Sequence, residues 1–219
     1  MKGLKRIFIF FSYVIGLGLI FNVPLSNYLI ESYHPKIETL KSYAVPYNWD
    51  NVHLINLFSI IKARFVHPQI HVIGAIYNQQ MDLNAPIALG VDDTIYSLCA
   101  GTLIPNEQMG KGNFILGAHN VHSSSKVLFS PLYRHGRIGD EVYVTDFKTV
   151  YTYKIIDIKS ISQYDLSTLS QTKKPMLTLI TCDKTDQKRI VFKGALISKN
   201  SFNRLSPTVK KYLSQKFEY

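Results

Sequence analysis

The chain has 219 residues, of which 46% are hydrophobic and 18% are charged, and its formal net charge is +10. This length and apolar content suffice for one sizeable core, and 14 tyrosines and 12 phenylalanines exclude a predominantly disordered chain. The positive charge is spread along the chain without an aromatic and basic nucleic-acid motif. It therefore predicts attraction to an anionic membrane or wall and not nucleic-acid binding.

The first segment is uncharged and mostly apolar from Ile7 to Ile30, and it follows the basic residues Lys2, Lys5 and Arg6. A bilayer is spanned by about 20 apolar residues. The absence of an Ala-x-Ala pattern after the run favours an uncleaved anchor over a removed signal peptide. The positive-inside rule then places the N-terminus in the cytoplasm and the rest of the chain outside.

A connector and one helix are predicted between this span and the first β-like run. Residues 31–49 contain Pro35 and Pro46 and have no clear periodicity. Asp50 or Asn51 can cap a helix that ends before Pro68. Its apolar side chains recur at i, i+3, i+4 and i+7 and give one apolar face: Leu54, Leu57, Phe58 and Ile61.

After Pro68, short apolar runs separated by turn residues predict seven or eight strands that form a closed or nearly closed β-barrel. The segment 146–149 is a hairpin turn between two alternating strands. The predicted strands are 70–76, 87–90, 114–118, 141–145, 150–155, 176–181 and 190–192.

Three residues at predicted strand ends could carry chemistry. Cys182 ends one strand, His119 follows another, and Arg189 begins the strand seven residues after the cysteine. Taken singly, each has an ordinary interpretation as a buried small side chain, a structural histidine or a surface charge. Lys188 competes with Arg189, but strand alternation places it on the opposite side.

The neighbouring residues change this balance. The run Thr178-Leu179-Ile180-Thr181-Cys182 matches the Thr-Leu-x-Thr-Cys motif of sortases. The stretch 109–119 is similar to the one that delivers the catalytic histidine in class A, and 189–194 is similar to the arginine-bearing strand of that class. The chain therefore resembles the class A sortases over about residues 68–200.

The resemblance implies an all-β fold, an eight-stranded sortase-type barrel with short helices that follows an N-terminal transmembrane helix. The expected organisation is a cytoplasmic tail at 1–6, an anchor at 7–30, a juxtamembrane connector and helix at 31–67, a catalytic domain at 68–203 and a C-terminal tail at 204–219.

The resemblance also implies the activity. Cys182 would attack the threonine carbonyl of a Leu-Pro-x-Thr-Gly sorting signal on a surface protein, with His119 as acid and base and Arg189 as charge stabiliser. The acyl group would pass to a cell-wall precursor amine, typically on lipid II. His122 competes with His119, which directly follows the small pair Gly117-Ala118.

Substrate contacts are expected from two places. The loop 164–175 corresponds to the loop that recognises the sorting signal in the family. Leu166 and Leu169 would then line an apolar groove, unless they only pack the loop onto the barrel. Ala118 and Thr181 flank the catalytic residues, and Thr181 has strand packing as an equally good explanation.

Cysteine pairing and metal binding are the remaining questions of chemistry. Cys99 and Cys182 could form a disulfide, although a catalytic Cys182 must not be permanently paired. Some class A members need Ca²⁺, but the region before the histidine strand offers Glu107 beside Ile104 and Lys111, too few oxygen ligands. We therefore expect calcium-independent activity with no metal and no cofactor.

Two alternatives stay open. A pilin-polymerising sortase would use a pilin lysine as the amine, but such relatives usually carry a lid segment and a C-terminal span. A non-catalytic, membrane-tethered peptide-binding module would keep the barrel without the reaction.

Overall fold

A computed structural model describes residues 2–38, 45–48, 52–66, 70–121 and 126–219. The first helix, α1, covers Lys2–Glu31. Its part Ile9–Glu31 is long and apolar enough to cross a membrane. Leu29 and Ile30, in its last turn, are buried and belong to the core of the following domain. The apolar run therefore ends in contact with the folded domain.

The second helix, α2, covers Leu57–Phe65 and begins later than predicted. Asn56 caps it, because its side chain accepts a hydrogen bond from the Ser59 backbone N–H and the Ser59 hydroxyl accepts one from the Asn56 backbone N–H. The predicted caps Asp50 and Asn51, and Pro68, lie outside the described residues. The prediction of the helix start was wrong, because the capping box at Asn56 begins the helix at Leu57 and leaves Leu54 outside it.

In the described part of the chain, eight strands form one closed barrel in the order β1-β2-β3-β4-β7-β8-β6-β5. This confirms the predicted all-β barrel with short helices. The strands are β1 Val72–Asn78, β2 Leu83–Ala88, β3 Ala100–Thr102, β4 Asn113–Gly117, β5 Glu141–Thr145, β6 Thr149–Ser162, β7 Met176–Cys182 and β8 Lys188–Ser201. The short helices are α3 Asp93–Leu98, α4 Ser130–His135 and α5 Pro207–Ser214.

Two of the eight strand pairings are parallel, and one of them determines the site. β2 pairs in parallel with β3, and β4 pairs in parallel with β7; the other pairs are antiparallel. The β4–β7 pair brings together the carboxyl ends of two strands that lie far apart in the sequence. Side chains that follow those two ends are consequently neighbours in space.

The hairpin between β5 and β6 turns at the predicted segment. The Asp146 side chain accepts hydrogen bonds from the Lys148 and Thr149 backbones, and Phe147 has a φ of +63°. A short polar side chain that caps its own turn in this way fixes the chain reversal.

The C-terminal residues pack against the connector that follows α1. Lys36 and Glu218 form a parallel bridge, in which the Ile37 N–H donates to the Glu218 carbonyl at 2.9 Å. His34 Nε2 lies 2.9 Å from the carbonyl oxygen of Gln215. Tyr219 stacks on Phe147 with ring centroids 4.4 Å apart. The chain beyond β8 is thus tied to both the connector and the barrel.

Candidate active site

Cys182 and Arg189 face each other across the β7–β8 pair. β7 ends at Cys182, β8 begins at Lys188, and the antiparallel register places Cys182 directly opposite Arg189. The Arg189 Nη1 donates to the Asp186 carbonyl oxygen at 3.0 Å, which holds the guanidinium against its own loop. Register and loop contact together fix the arginine beside the thiol.

His119 reaches the same place from β4. Gly117 pairs with Ile180, and the Ala118 N–H donates to the Ile180 carbonyl at 3.2 Å, so the chain stays beside β7 up to the histidine. The Asn120 Nδ2 then donates to the Cys182 carbonyl at 3.1 Å. The residues before and after His119 are therefore both hydrogen-bonded to β7, the strand that ends at Cys182.

A groove of about 660 Å³ runs along this end of the barrel. It brings together all the site residues predicted from the sequence. They are Cys182, His119, Arg189, Thr181, Ala118, Leu166 and Leu169. Lys188 is exposed and is not among the residues that line the groove, whereas Arg189 is.

Burial favours the uncharged form of both the His119 imidazole and the Cys182 thiol. It lowers the pKa of His119 to about 4, against the opposing effect of the Asp93 and Asp186 carboxylates. Burial also raises the pKa of the Cys182 thiol; Arg189 opposes this shift, and Asp186, which accepts a hydrogen bond from the thiol, adds to it. Both shifts favour a thiol and a neutral imidazole over the charged pair.

Two further side chains hold the site together. The buried hydroxyl of Thr181 donates to the Ala118 carbonyl at 2.8 Å and links the ends of β7 and β4. Tyr96 on α3 packs edge to face against the His119 ring, with centroids 5.6 Å apart. A Cβ at Gly117 would collide with the Tyr96 hydroxyl, so the glycine makes room for this tyrosine.

Comparison with known proteins assigns the family. A family model described as the sortase domain matches residues 76–197, a range that contains His119, Cys182 and Arg189. The chain belongs to the sortase family. Sortase A of Streptococcus agalactiae is 32% identical to it, with 99% of this chain and 98% of the relative covered.

Listeria monocytogenes sortase A is 31% identical over 88% of this sortase and 91% of the relative. The crystal structure of that Listeria protein superposes with a TM-score of 0.59 at 31% identity and covers 65% of this chain and 97% of the other. Both relatives are named sortase A, which favours class A for this sortase.

The loop between β6 and β7 is bonded to the first residue of β4. The buried Asn113 side chain donates to the Thr168 and Ser170 carbonyls at 3.2 and 3.0 Å and accepts from the Thr178 hydroxyl at 2.7 Å. The Gln171 amide bonds to the backbone N–H and C=O of Asn113, both at 3.0 Å. These contacts position the groove wall that carries Leu166 and Leu169.

Asn113, Asn120, Tyr96 and Asp186 were missed from the sequence. Asn113 lies within the stretch 109–119 that delivers the histidine and Asn120 directly follows it, but nothing in one sequence says which carbonyl an amide will meet. Asp186 lies in the polar segment that follows Cys182, where several carboxylates and lysines compete for the same role.

The carboxylate considered for Ca²⁺ is occupied by the protein itself. Glu107 Oε2 accepts from the Ile115 N–H at 3.2 Å, and burial raises the pKa of this carboxyl to about 8. Within the described residues, no group of three or more His, Cys, Asp or Glu side chains could hold a metal ion.

The two cysteines are separate. Both are free thiols, Cys182 partly exposed in the groove and Cys99 fully buried at the end of α3. Burial raises the pKa of Cys99, as expected of an unreactive core thiol. His122, the alternative to His119, lies outside the described residues.

Proposed function

We propose that this sortase cleaves a Leu-Pro-x-Thr-Gly sorting signal between threonine and glycine and transfers the acyl group to a cell-wall precursor amine, such as that of lipid II. The observation that carries the proposal is the convergence of Cys182, His119 and Arg189 in one groove. A thiol, a titratable ring and a permanent cation are the groups that acyl transfer through a thioester requires.

In the first half-reaction, His119 takes the proton of the Cys182 thiol as the sulfur attacks the threonine carbonyl. Negative charge develops on the carbonyl oxygen, and the Arg189 guanidinium stabilises it. His119 then protonates the glycine nitrogen, the C–N bond breaks, and a thioester remains on Cys182. A neutral resting imidazole suits this sequence because it is ready to accept the first proton.

In the second half-reaction, the acceptor amine attacks the thioester carbon. A C–N bond forms, the C–S bond breaks, and the amine proton passes through His119 to the departing sulfur. One peptide bond is broken and one is made, so the reaction is transpeptidation and not net hydrolysis.

Recognition of the signal is assigned to the apolar part of the groove. Leu166 is 65% exposed and Leu169 is half-buried, and both line the groove together with Ala118 and Thr181. Exposed leucine on a loop held by Asn113 is a suitable surface for the leucine and proline of the signal.

The substrate and the amine acceptor both suggest a cell-surface location. α1 is the proposed single-pass membrane anchor. Lys2, Lys5 and Arg6 precede the apolar run, so we place the N-terminus in the cytoplasm and the catalytic domain outside. The partners are then surface proteins that bear sorting signals. We propose that the enzyme works without calcium or another cofactor.

The test uses the full-length chain in detergent micelles with a Leu-Pro-x-Thr-Gly peptide and an amine, and it follows thioester and ligated product by mass spectrometry. Cys182→Ala should abolish both species. Arg189→Ala should lower the rate by about 10²–10³, the usual cost of one oxyanion stabiliser. Lys188→Ala is the matched control and should stay near wild type. Product from Cys182→Ala, or equal losses at positions 188 and 189, would refute the assignment.

A further inference from the structure

Helix α2 presents large apolar side chains to the outside. Phe58 and Phe65 are 76% and 68% exposed, and Ile61 lies between them on the same face of the helix. Leu54, just before the helix, extends this face and is 66% exposed. We call Leu54, Phe58, Ile61 and Phe65 the outer stripe. Leu54, Phe58 and Ile61 belong to the predicted apolar face and Phe65 adds to it, yet the core does not cover these side chains.

The opposite face of α2 is held by the protein. Ile60 and Ala63 are buried and belong to the same core cluster as Leu29 and Ile30 of α1. The capping box at Asn56 fixes the first turn. The outer stripe is therefore presented by a packed helix and not by a loose segment that could turn inward.

The position of α2 along α1 sets its height relative to a bilayer. At 1.5 Å per residue, the 30 residues of α1 extend about 45 Å, close to the thickness of a bilayer with its headgroups. The residues of α1 buried against the domain are Ser26, Leu29 and Ile30, all near its C-terminal end. If α1 spans the bilayer with its N-terminus inside, a helix packed there would lie at the level of the outer headgroups.

We propose that α2 is an interfacial helix whose outer stripe inserts into the outer leaflet beside the anchor. The inference rests on the proposed insertion of α1 in the membrane. Helices of this type lie in the plane of the interface with the apolar face directed into the acyl boundary.

Two observations favour lipid over a protein partner. The exposed apolar surface continues from α1 to the helix that packs beside it, because Val23 of α1, which is 47% exposed, lines the same cavity as Leu54 of the outer stripe. Lys62 is exposed in the last turn of α2, and the chain carries a net charge of +10, which suits anionic headgroups.

Insertion of the outer stripe would bring one side of the active site to the membrane surface. A cavity of about 250 Å³ next to His119 and Asp186 is also lined by Leu54 and by Ser26 of α1. An amine carried on a membrane lipid would therefore be presented to the His119 side of the groove. α2 thus sets the approach of the lipid-linked substrate.

The test measures membrane contact residue by residue. The full-length chain is reconstituted in phosphatidylcholine and phosphatidylglycerol vesicles, with and without brominated acyl chains, in a background that carries Trp49→Phe to remove the single native tryptophan. Three tryptophan reporters are compared: Leu19→Trp in α1, Phe58→Trp in the outer stripe, and Ile138→Trp on the barrel. All three positions are more than half exposed, so the substitutions suit a folded protein.

The expected result is strong bromine quenching at positions 19 and 58 and several-fold weaker quenching at position 138. If position 19 is quenched but position 58 is quenched no more than position 138, the interfacial helix is refuted and the membrane anchor is not. Chemical cross-linking of two copies through α2 would then identify a protein partner. An unquenched position 19 removes the anchor and this inference together, but leaves the peptide ligation assay of the active site unaffected.

Discussion

Replacing Asn113 by alanine should weaken binding of the sorting signal by loosening the loop that carries Leu166 and Leu169. The substitution removes two hydrogen bonds to the loop, at Thr168 and Ser170, and one to Thr178 in β7. At about 0.5–1.5 kcal/mol each, the two loop bonds contribute roughly 1–3 kcal/mol to holding the loop in place.

A loss of about 2 kcal/mol lowers the ratio of docked to undocked loop by about 30-fold. The affinity for the peptide falls only to the extent that the undocked loop becomes populated, so about 30-fold is the upper limit of the increase in KM. We expect KM for the peptide to rise by roughly 3- to 30-fold, with a smaller change in kcat. Both Gln171 bonds involve the backbone at position 113 and should survive.

Thr178→Val is the matched control, since it removes the Asn113 bond to β7 and leaves both loop bonds. Steady-state ligation of the peptide gives KM and kcat for both variants, and trypsin cleavage after the exposed Lys173 reports loop release independently. If Asn113→Ala and Thr178→Val raise KM equally, or if neither does, the loop is not positioned through Asn113 and the reasoning is wrong.

Three other predictions concern charge. Alkylation of Cys182 by iodoacetamide should inflect at a higher pH than a free thiol does, because burial raises its pKa, and Arg189→Gln should move the inflection higher still; an inflection below that of a free thiol would contradict this. Burial raises the pKa of Glu107 to about 8, so the folded state binds this proton more tightly than the unfolded state, and stability should fall as pH rises toward 8. Urea unfolding should show that Glu107→Gln removes roughly 3 kcal/mol of that loss in stability. This figure is lower than about 1.36 kcal/mol per pKa unit would give, because the carboxyl keeps some contact with solvent. An equally steep pH dependence of stability in the variant would contradict this prediction. Ligation rates should be the same with millimolar calcium and with chelator, and stimulation by calcium would overturn the cofactor proposal.

Strands with long alternating or apolar runs could be predicted from the sequence, and the strand that depends on tertiary pairing could not. β5 has the predicted bounds, and β7 differs by one residue. β3, Ala100–Thr102, was missed because three residues with a central glycine carry no apolar period. Its extended conformation comes from parallel pairing with Ile87 and antiparallel pairing with Leu116.

The same distinction applies to the candidate site. Cys182 and Arg189 are joined by a short hairpin, so their proximity follows from local sequence alone. His119 joins them only through the parallel β4–β7 pair, and here the motif resemblance supplied what spacing could not. The amide and hydroxyl contacts of Asn113, Asn120 and Thr181 depend on that long-range register.

The bonds between the C-terminal residues and the connector have a mechanical consequence. Segments 34–37 and 215–218 are joined by backbone and side-chain hydrogen bonds immediately after α1, and the last turn of α1 is itself part of the core. With α1 in the bilayer as proposed, the barrel would be attached to its anchor rigidly and not through a flexible linker. The height of the groove above the membrane would then be fixed, and the proposed substrates would be selected by how far their sorting signals extend from the surface.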